Sequence, residues 1–258
     1  MYGQIINNVT LAVIIQVKHF SVDFFYIAKI SANPVFRKIN YRSDFFKNKI
    51  YHMEVRNKII REAAELFLLN GVKKVKMDNI AKKIKVSKRT IYENFKNKDS
   101  LIRATIDLAQ KEHIELNNLI VSESDNIIEA VLALLKNGSK MLARINPDYF
   151  SDLKRLYPDI WKEKIEQSKV HSFNLILELL KKGKEQGVYR SDIKEEIIAL
   201  ILIEQLSMLS DQKFPGHRKF PLVELYENII INMTRGVATG KGLRLLENYQ
   251  KTTSPAHT

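Results

Sequence analysis

Across Ser87-Lys88-Arg89-Thr90-Ile91-Tyr92, every side chain but Ile91 carries a hydrogen-bond donor. In a helix here, Val86, Ile91 and Phe95 supply the buried side, and Ser87, Lys88, Arg89, Thr90 and Tyr92 face outward. Hydroxyls, an ammonium and a guanidinium so placed are the groups that hold phosphate oxygens and reach base edges in a groove. Lys98, near the start of the next predicted helix, adds a further cation.

Other chemistry is hard to assemble from this sequence. There is no cysteine, which excludes disulfides, a Cys-based zinc site and a thiolate nucleophile, and which fits a reducing cytoplasm. His19, His52, His113, His171, His217 and His257 include no pair at the i, i+4 spacing of a helical metal site. No phosphate-cradling glycine loop and no Gly-x-Ser-x-Gly elbow occurs. Carboxylates such as Glu204 have no evident acid/base partner. The chain therefore reads as a non-enzyme without metal or cofactor.

To present the donors, two short helices must meet at a tight turn. Ile80, Ala81 and Ile84 give the first its apolar face, and the small Ala81 allows close approach. Ser87 is a good N-cap for the second, which is expected to run to about Phe95. Upstream, Val55, Ile59, Ile60, Ala63, Leu66 and Phe67 fall at helical spacing, and Asn70-Gly71 ends that helix. Downstream the chain is predicted helical throughout. Asp99 or Ser100 opens a long helix to about Leu119, and Asp125 caps another, stopped by Asn146-Pro147 near Ile145. A short helix covers Tyr149–Leu156, and a long one runs from Pro158 to the turn at Gln186-Gly187. Further helices are expected from Asp192 to Leu209 and from Leu222 to Gly236, with shorter structure around Gly242–Tyr249. The fold class is all-α: an N-terminal helix-turn-helix of three helices, then a longer, wholly helical part.

The charge is unevenly placed. Residues 1–52 carry seven basic and two acidic side chains, 54–100 thirteen and six, and 101–258 twenty-two and twenty-one. The excess in the net +13 thus lies mostly in the helix-turn-helix segment, as an electrostatic footprint for a polyanion would. No stretch reaches the ~18–20 apolar residues of a membrane span; Val9–Val17 is too short, and no membrane association is expected. Residues 1–52, rich in aromatics and broken by Asn33-Pro34, sustain no helical stripe. They read as an upstream extension of uncertain status, with Met53 the natural start, against the alternative of a basic arm on DNA.

The residues Ile59–Phe67, Asn70-Gly71, Met77-Asp78-Asn79-Ile80-Ala81, Val86-Ser87-Lys88-Arg89-Thr90-Ile91-Tyr92, Phe95, Lys98 and Leu101 together resemble the TetR/AcrR family of bacterial transcriptional regulators. Gly187-Val188-Tyr189-Arg190 is similar, more loosely, to a turn common in that family's C-terminal part. Two positions depart from the pattern: Lys85 stands at the usual turn glycine, and Arg89 where many members have a small residue.

The resemblance implies a repressor bound to palindromic double-stranded operator DNA and released by a small-molecule inducer. It also implies a homodimer formed through the last two long helices. The domains would be 53–100 for DNA, 101–250 for ligand and dimerisation, and 251–258 a tail. DNA contact falls to Ser87, Lys88, Arg89, Thr90, Tyr92 and Lys98. Candidate ligand contacts are Met141, Phe150, Trp161, His171, Phe173 and Gln205. Candidate dimer contacts are Ile197, Leu200, Ile201 and Met208 on one helix and Tyr226, Ile229, Ile230 and Met233 on the next. An adaptor of the same fold, binding a protein instead of a small molecule, stays open at this point; a filled core with an exposed apolar patch would mark it.

Overall fold

A computed structural model of the chain describes residues 40–211 and 214–253. The chain divides into two compact units, Met1–Val55 and Arg56–Thr258. The expectations for residues 1–39 and for the tail after 253 lie outside the described residues.

The first described helix, α1, spans Asn40–Asn70. It therefore begins well before Met53, where the helical pattern was expected to open. No glycine or proline occurs between residues 40 and 70, so nothing breaks the backbone ladder even where the apolar stripe is missing. In its second half Ile59, Ile60, Ala63 and Phe67 are buried on one face. At its end the Asn70 side chain donates to the Leu66 carbonyl at 3.0 Å. Gly71 follows with φ +79°, and its backbone N–H bonds Phe67 O at 3.0 Å.

Next come α2 (Met77–Ile84), α3 (Lys88–Asn94) and α4 (Lys98–Glu123). The N-cap of α2 is Lys76, one residue before the helix, and its backbone N–H donates to Asn79 Oδ1 at 2.8 Å; Asp78 sits in the first turn. Asp99 and Ser100 lie in the first turn of α4, and Asn97 caps it, accepting from the Ser100 N–H at 2.9 Å.

The α2–α3 turn is closed at Lys85, the one non-glycine residue with positive φ among the described residues (φ 59°, ψ 44°). The left-handed conformation at a residue with a Cβ costs roughly 1 kcal/mol. Lys85→Gly is therefore expected to raise stability by somewhat under ~1 kcal/mol, since glycine also has more backbone freedom to lose on folding. Urea unfolding at fixed protein concentration checks this. A midpoint unchanged or lowered, with the same m-value, would mean the turn holds no such strain.

The larger helical part follows with α5 (Ile127–Leu142), α6 (Asp148–Leu156), α7 (Pro158–Glu185), α8 (Glu195–Met208), α9 (Leu222–Val237) and α10 (Gly240–Thr253). A single turn of 3₁₀ helix covers Pro215–Arg218. Asn126 caps α5 in place of Asp125, accepting from the Glu129 N–H at 3.0 Å, and the helix ends three residues before Ile145. Helix α8 starts at Glu195 because Ile193 is drawn into the core before it. Lys184 at the end of α7 fixes that entry, donating to the Ile193 carbonyl and pairing with Glu195 at 2.8 Å. The buried cluster here draws Ile128, Ala130, Leu132 and Leu135 of α5 together with Leu179 and Leu180 of α7, Ala199 of α8, Val237 of α9 and Leu246 of α10. None of the described helices is long and apolar enough to cross a membrane.

Candidate nucleic-acid interface

The helix-turn-helix is positioned by what its two helices bury. Met77, Ile80, Ala81 and Ile84 of α2, Ile91 of α3 and Phe95 just beyond it are all withdrawn from solvent. The Ser87 hydroxyl caps α3, accepting from the Thr90 N–H at 3.0 Å, and it lies 2.9 Å from the Thr90 hydroxyl. Capping thus engages both hydroxyls, which stay at the surface end of the helix.

Of the remaining donors, Lys88, Arg89 and Tyr92 are exposed. Lys88 pairs with Asp78 of α2 at 2.9 Å, and that hydrogen-bonded carboxylate raises the ammonium's pKa. Arg89 pairs with Glu93 one turn on at 2.8 Å, with 88% of its side chain in solvent. Exposed pairs of this kind are worth little, so both cations remain available to phosphate. In the same segment Lys73, Lys74, Lys76, Lys82, Lys83, Lys85 and Lys96 are also exposed. Arg56 lies 4.5 Å over the Phe95 ring and braces the end of α3.

Lys98 differs from what its position in the sequence promised. Its ammonium turns inward, donates to the Val72 carbonyl at 2.6 Å and lies 5.6 Å from the centre of the Phe67 ring. Burial pushes its pKa down, partly offset by Asp152 and Asp99. A spacing pattern places a lysine at a helix start but does not tell which way its flexible stem turns.

A joint of hydrogen bonds ties this head to the larger helical part. Asn146, read in the sequence only as a helix stop, accepts from the Asp148 N–H at its side-chain oxygen, at 2.9 Å, and donates from its backbone N–H to Leu68 O at 2.8 Å. Its side-chain amide donates to Leu69 O at 3.1 Å, so it closes the C-terminus of α1. The buried Asp152 carboxylate of α6 accepts from the Lys73 N–H at 2.7 Å and lies 3.5 Å from Arg155. Gly71 fits closely here, since a Cβ on it would fall 3.1 Å from Asp152 Oδ2. Asp148 adds an ion pair to Lys74 at 3.3 Å. No motif marks Asp152, because its role depends on a loop 79 residues away.

Beyond the joint, α4, α5, α7, α8 and α9 line a half-open cavity of about 320 Å³. Met141 and Phe150 line it, as expected. Trp161, His171, Phe173 and Gln205 do not: Trp161 packs edge-on to Phe150 with ring centres 6.2 Å apart, and Phe173 packs against the core. His171 lies near enough to His113, a lining residue, to lower its pKa further after burial has done so. Tyr226, Ile230 and Met233, expected at a dimer face, line the cavity instead, because that stripe of α9 faces α5. Ile229 alone of that set is off the cavity, half-buried. On α8, Ile197, Leu200, Ile201 and Met208 are exposed, each by 40% or more.

Comparison with known proteins agrees with this geometry. The family pattern described as bacterial regulatory proteins, tetR family, matches residues 59–105. The HTH-type transcriptional regulator YvaF of Bacillus subtilis (strain 168) is 24% identical over 163 residues, spanning 62% of this chain and 84% of that protein. A TetR-family regulator from Agrobacterium tumefaciens superposes with TM-score 0.59 at 12% identity, covering 73% of this chain and all of that one. The fatty acid degradation regulator FadR of Bacillus halodurans gives 0.54 at 20%, covering 70% and 94%. SCO4454 of Streptomyces coelicolor gives 0.54 at 20%, covering 72% and 97%. The matched segment coincides with the capped, basic helix pair, so the chain carries a DNA-binding module of the tetR pattern of bacterial regulatory proteins on a fold like that of TetR-family regulators.

Proposed function

We propose that this protein is a homodimeric repressor that leaves a palindromic operator when a small molecule fills the cavity. In this reading residues 53–100 read DNA and 101–250 bind ligand and dimerise. The observation that carries it is helix α6. Phe150 on that helix lines the cavity, and Asp152, two residues on, holds the loop before α2. A ligand that displaces Phe150 would move Asp152 with it and change the spacing of two reading heads. The ligand must bind the DNA-incompetent spacing more tightly, since equal affinity shifts nothing. The cavity favours this over the adaptor alternative, which needs a filled core.

Ser87, Lys88, Arg89, Thr90 and Tyr92 are assigned to DNA contact, Arg89 to base readout. Fluorescence anisotropy on a selected operator and on random duplex, across salt concentrations, tests the assignment. Arg89→Ala should weaken operator binding by ~1–3 kcal/mol more than random binding if the contact is bidentate. Lys98→Ala should leave the salt slope unchanged and lower stability by ~1–2 kcal/mol, because Val72 O loses a charged donor. Equal losses on both duplexes for Arg89→Ala would remove it from readout. A salt slope reduced by about one for Lys98→Ala would return that side chain to phosphate.

A further inference from the structure

We propose that the ligand is an uncharged, mainly aliphatic molecule carrying one hydrogen-bond-accepting oxygen, with that oxygen seated on the Tyr226 hydroxyl. The inference rests on the reading of the cavity as an effector site and adds the chemistry of the effector.

Among the described residues, no lysine, arginine, aspartate or glutamate lines the cavity. An ionised ligand would lose its hydration there and meet no counter-charge. The one imidazole on the wall, His113, is not a substitute cation. Its Nε2 lies 3.1 Å from the Asn117 amide nitrogen, which donates to it, so the ring is held in a neutral tautomer. Burial and the neighbouring His171 both lower its pKa, in the same direction.

The Tyr226 hydroxyl is an unspent donor of the wall, as are those of Ser172 and Tyr189. It makes no hydrogen bond to any described residue, whereas buried tyrosine hydroxyls usually find a partner. Burial pushes its pKa up to about 12, so it stays protonated and can donate. Gly138 of α5 makes room for it: a Cβ there would fall 2.3 Å from the hydroxyl oxygen. The remaining wall is chiefly Leu, Ile, Val and Met. A volume of 320 Å³ is that of roughly ten waters, which suits a ligand of about ten to twelve non-hydrogen atoms.

Trp161 is the chain's only tryptophan and packs on Phe150, so its fluorescence reports on the cavity. The full chain is titrated at neutral pH with 1-decanol, decanoate, decylammonium and decane, each below its solubility limit, with calorimetry as a second readout. The expected result is saturable binding of 1-decanol, at least tenfold tighter than decanoate or decylammonium. Tyr226→Phe, which removes one oxygen, should bring 1-decanol down to the affinity of decane while decane is unaffected. Tighter binding of decanoate or decylammonium would overturn the ligand class and leave the cavity as an effector site. Full 1-decanol affinity in Tyr226→Phe would overturn the assigned hydrogen bond. No saturable response to any of the four, by either readout, would overturn the proposal together with the effector reading beneath it.

Discussion

Asp152→Ala is expected to destabilise the folded chain by about 2 kcal/mol and to uncouple operator release from ligand binding. The stability loss follows from the Lys73 N–H, which keeps its place at the α1–α2 loop but loses an acceptor at 2.7 Å. It also follows from Lys98, whose half-buried ammonium is steadied by the Asp152 charge. For a chain of this length, 2 kcal/mol lowers the melting temperature by about 4–8 °C. The functional loss has a different origin. Asp152 and Phe150 lie on the same short helix, so in the proposed mechanism the carboxylate is the point where a change at the cavity would reach the DNA-binding head. In the Ala variant that point is gone, while the donors of α3 are untouched. Operator affinity without ligand should stay within a few-fold of wild type, and a saturating ligand should no longer release the DNA. Asp152→Asn separates the two effects, since it keeps an acceptor for Lys73 and removes the charge. Anisotropy with and without ligand, beside urea unfolding at one protein concentration, gives both readouts. Wild-type release by the Ala variant would show that the signal bypasses α6.

The two parts of this molecule were unequally legible in the sequence, for a physical reason. The helix-turn-helix is built from contacts close in sequence: Ser87 caps its own helix, Lys85 closes its own turn, and Ile80, Ile84 and Ile91 bury within one short motif. Local pattern is then almost the whole cause. Helix α1 shows the limit, because it extends back to Asn40 through a stretch with no apolar stripe. In the larger part, a stripe such as Tyr226, Ile229, Ile230 and Met233 says that a helix has an apolar face. It does not say whether a subunit or a cavity covers it. Here three of the four face the cavity, and only Ile229 is free to look elsewhere. Asp152 and Asn146 were silent for the same reason, each acting on backbone some 77–79 residues away.

The same sorting of faces sets the largest effect expected for assembly. Ile197, Leu200, Ile201 and Met208 form one exposed apolar stripe on α8, interrupted by Glu204, which pairs with Lys169 at 3.2 Å. Leu225 and Ile229 are half-buried residues of α9, which packs against α8. Burying such a stripe on each of two copies, at ~25 cal/mol per Å² of apolar surface, favours a four-helix contact about a two-fold axis. A palindrome read by two α3 helices one helical turn of DNA apart requires that symmetry. Replacing Ile201 and Ile229 by Asp places four carboxylates in the contact. Unpaired charges buried this way cost several kcal/mol each, so the dimer should weaken by at least about a thousandfold. Sedimentation equilibrium should find the wild type dimeric and the Ile201→Asp, Ile229→Asp variant monomeric at micromolar concentration. Operator affinity should fall with it, because each monomer then holds a half-site alone. Both substituted positions lie off the cavity, so ligand binding read at Trp161 should survive, which distinguishes lost assembly from lost folding. A variant that stays dimeric would move the interface to another face, and a wild type that binds the palindrome as a monomer would remove the dimer from the mechanism.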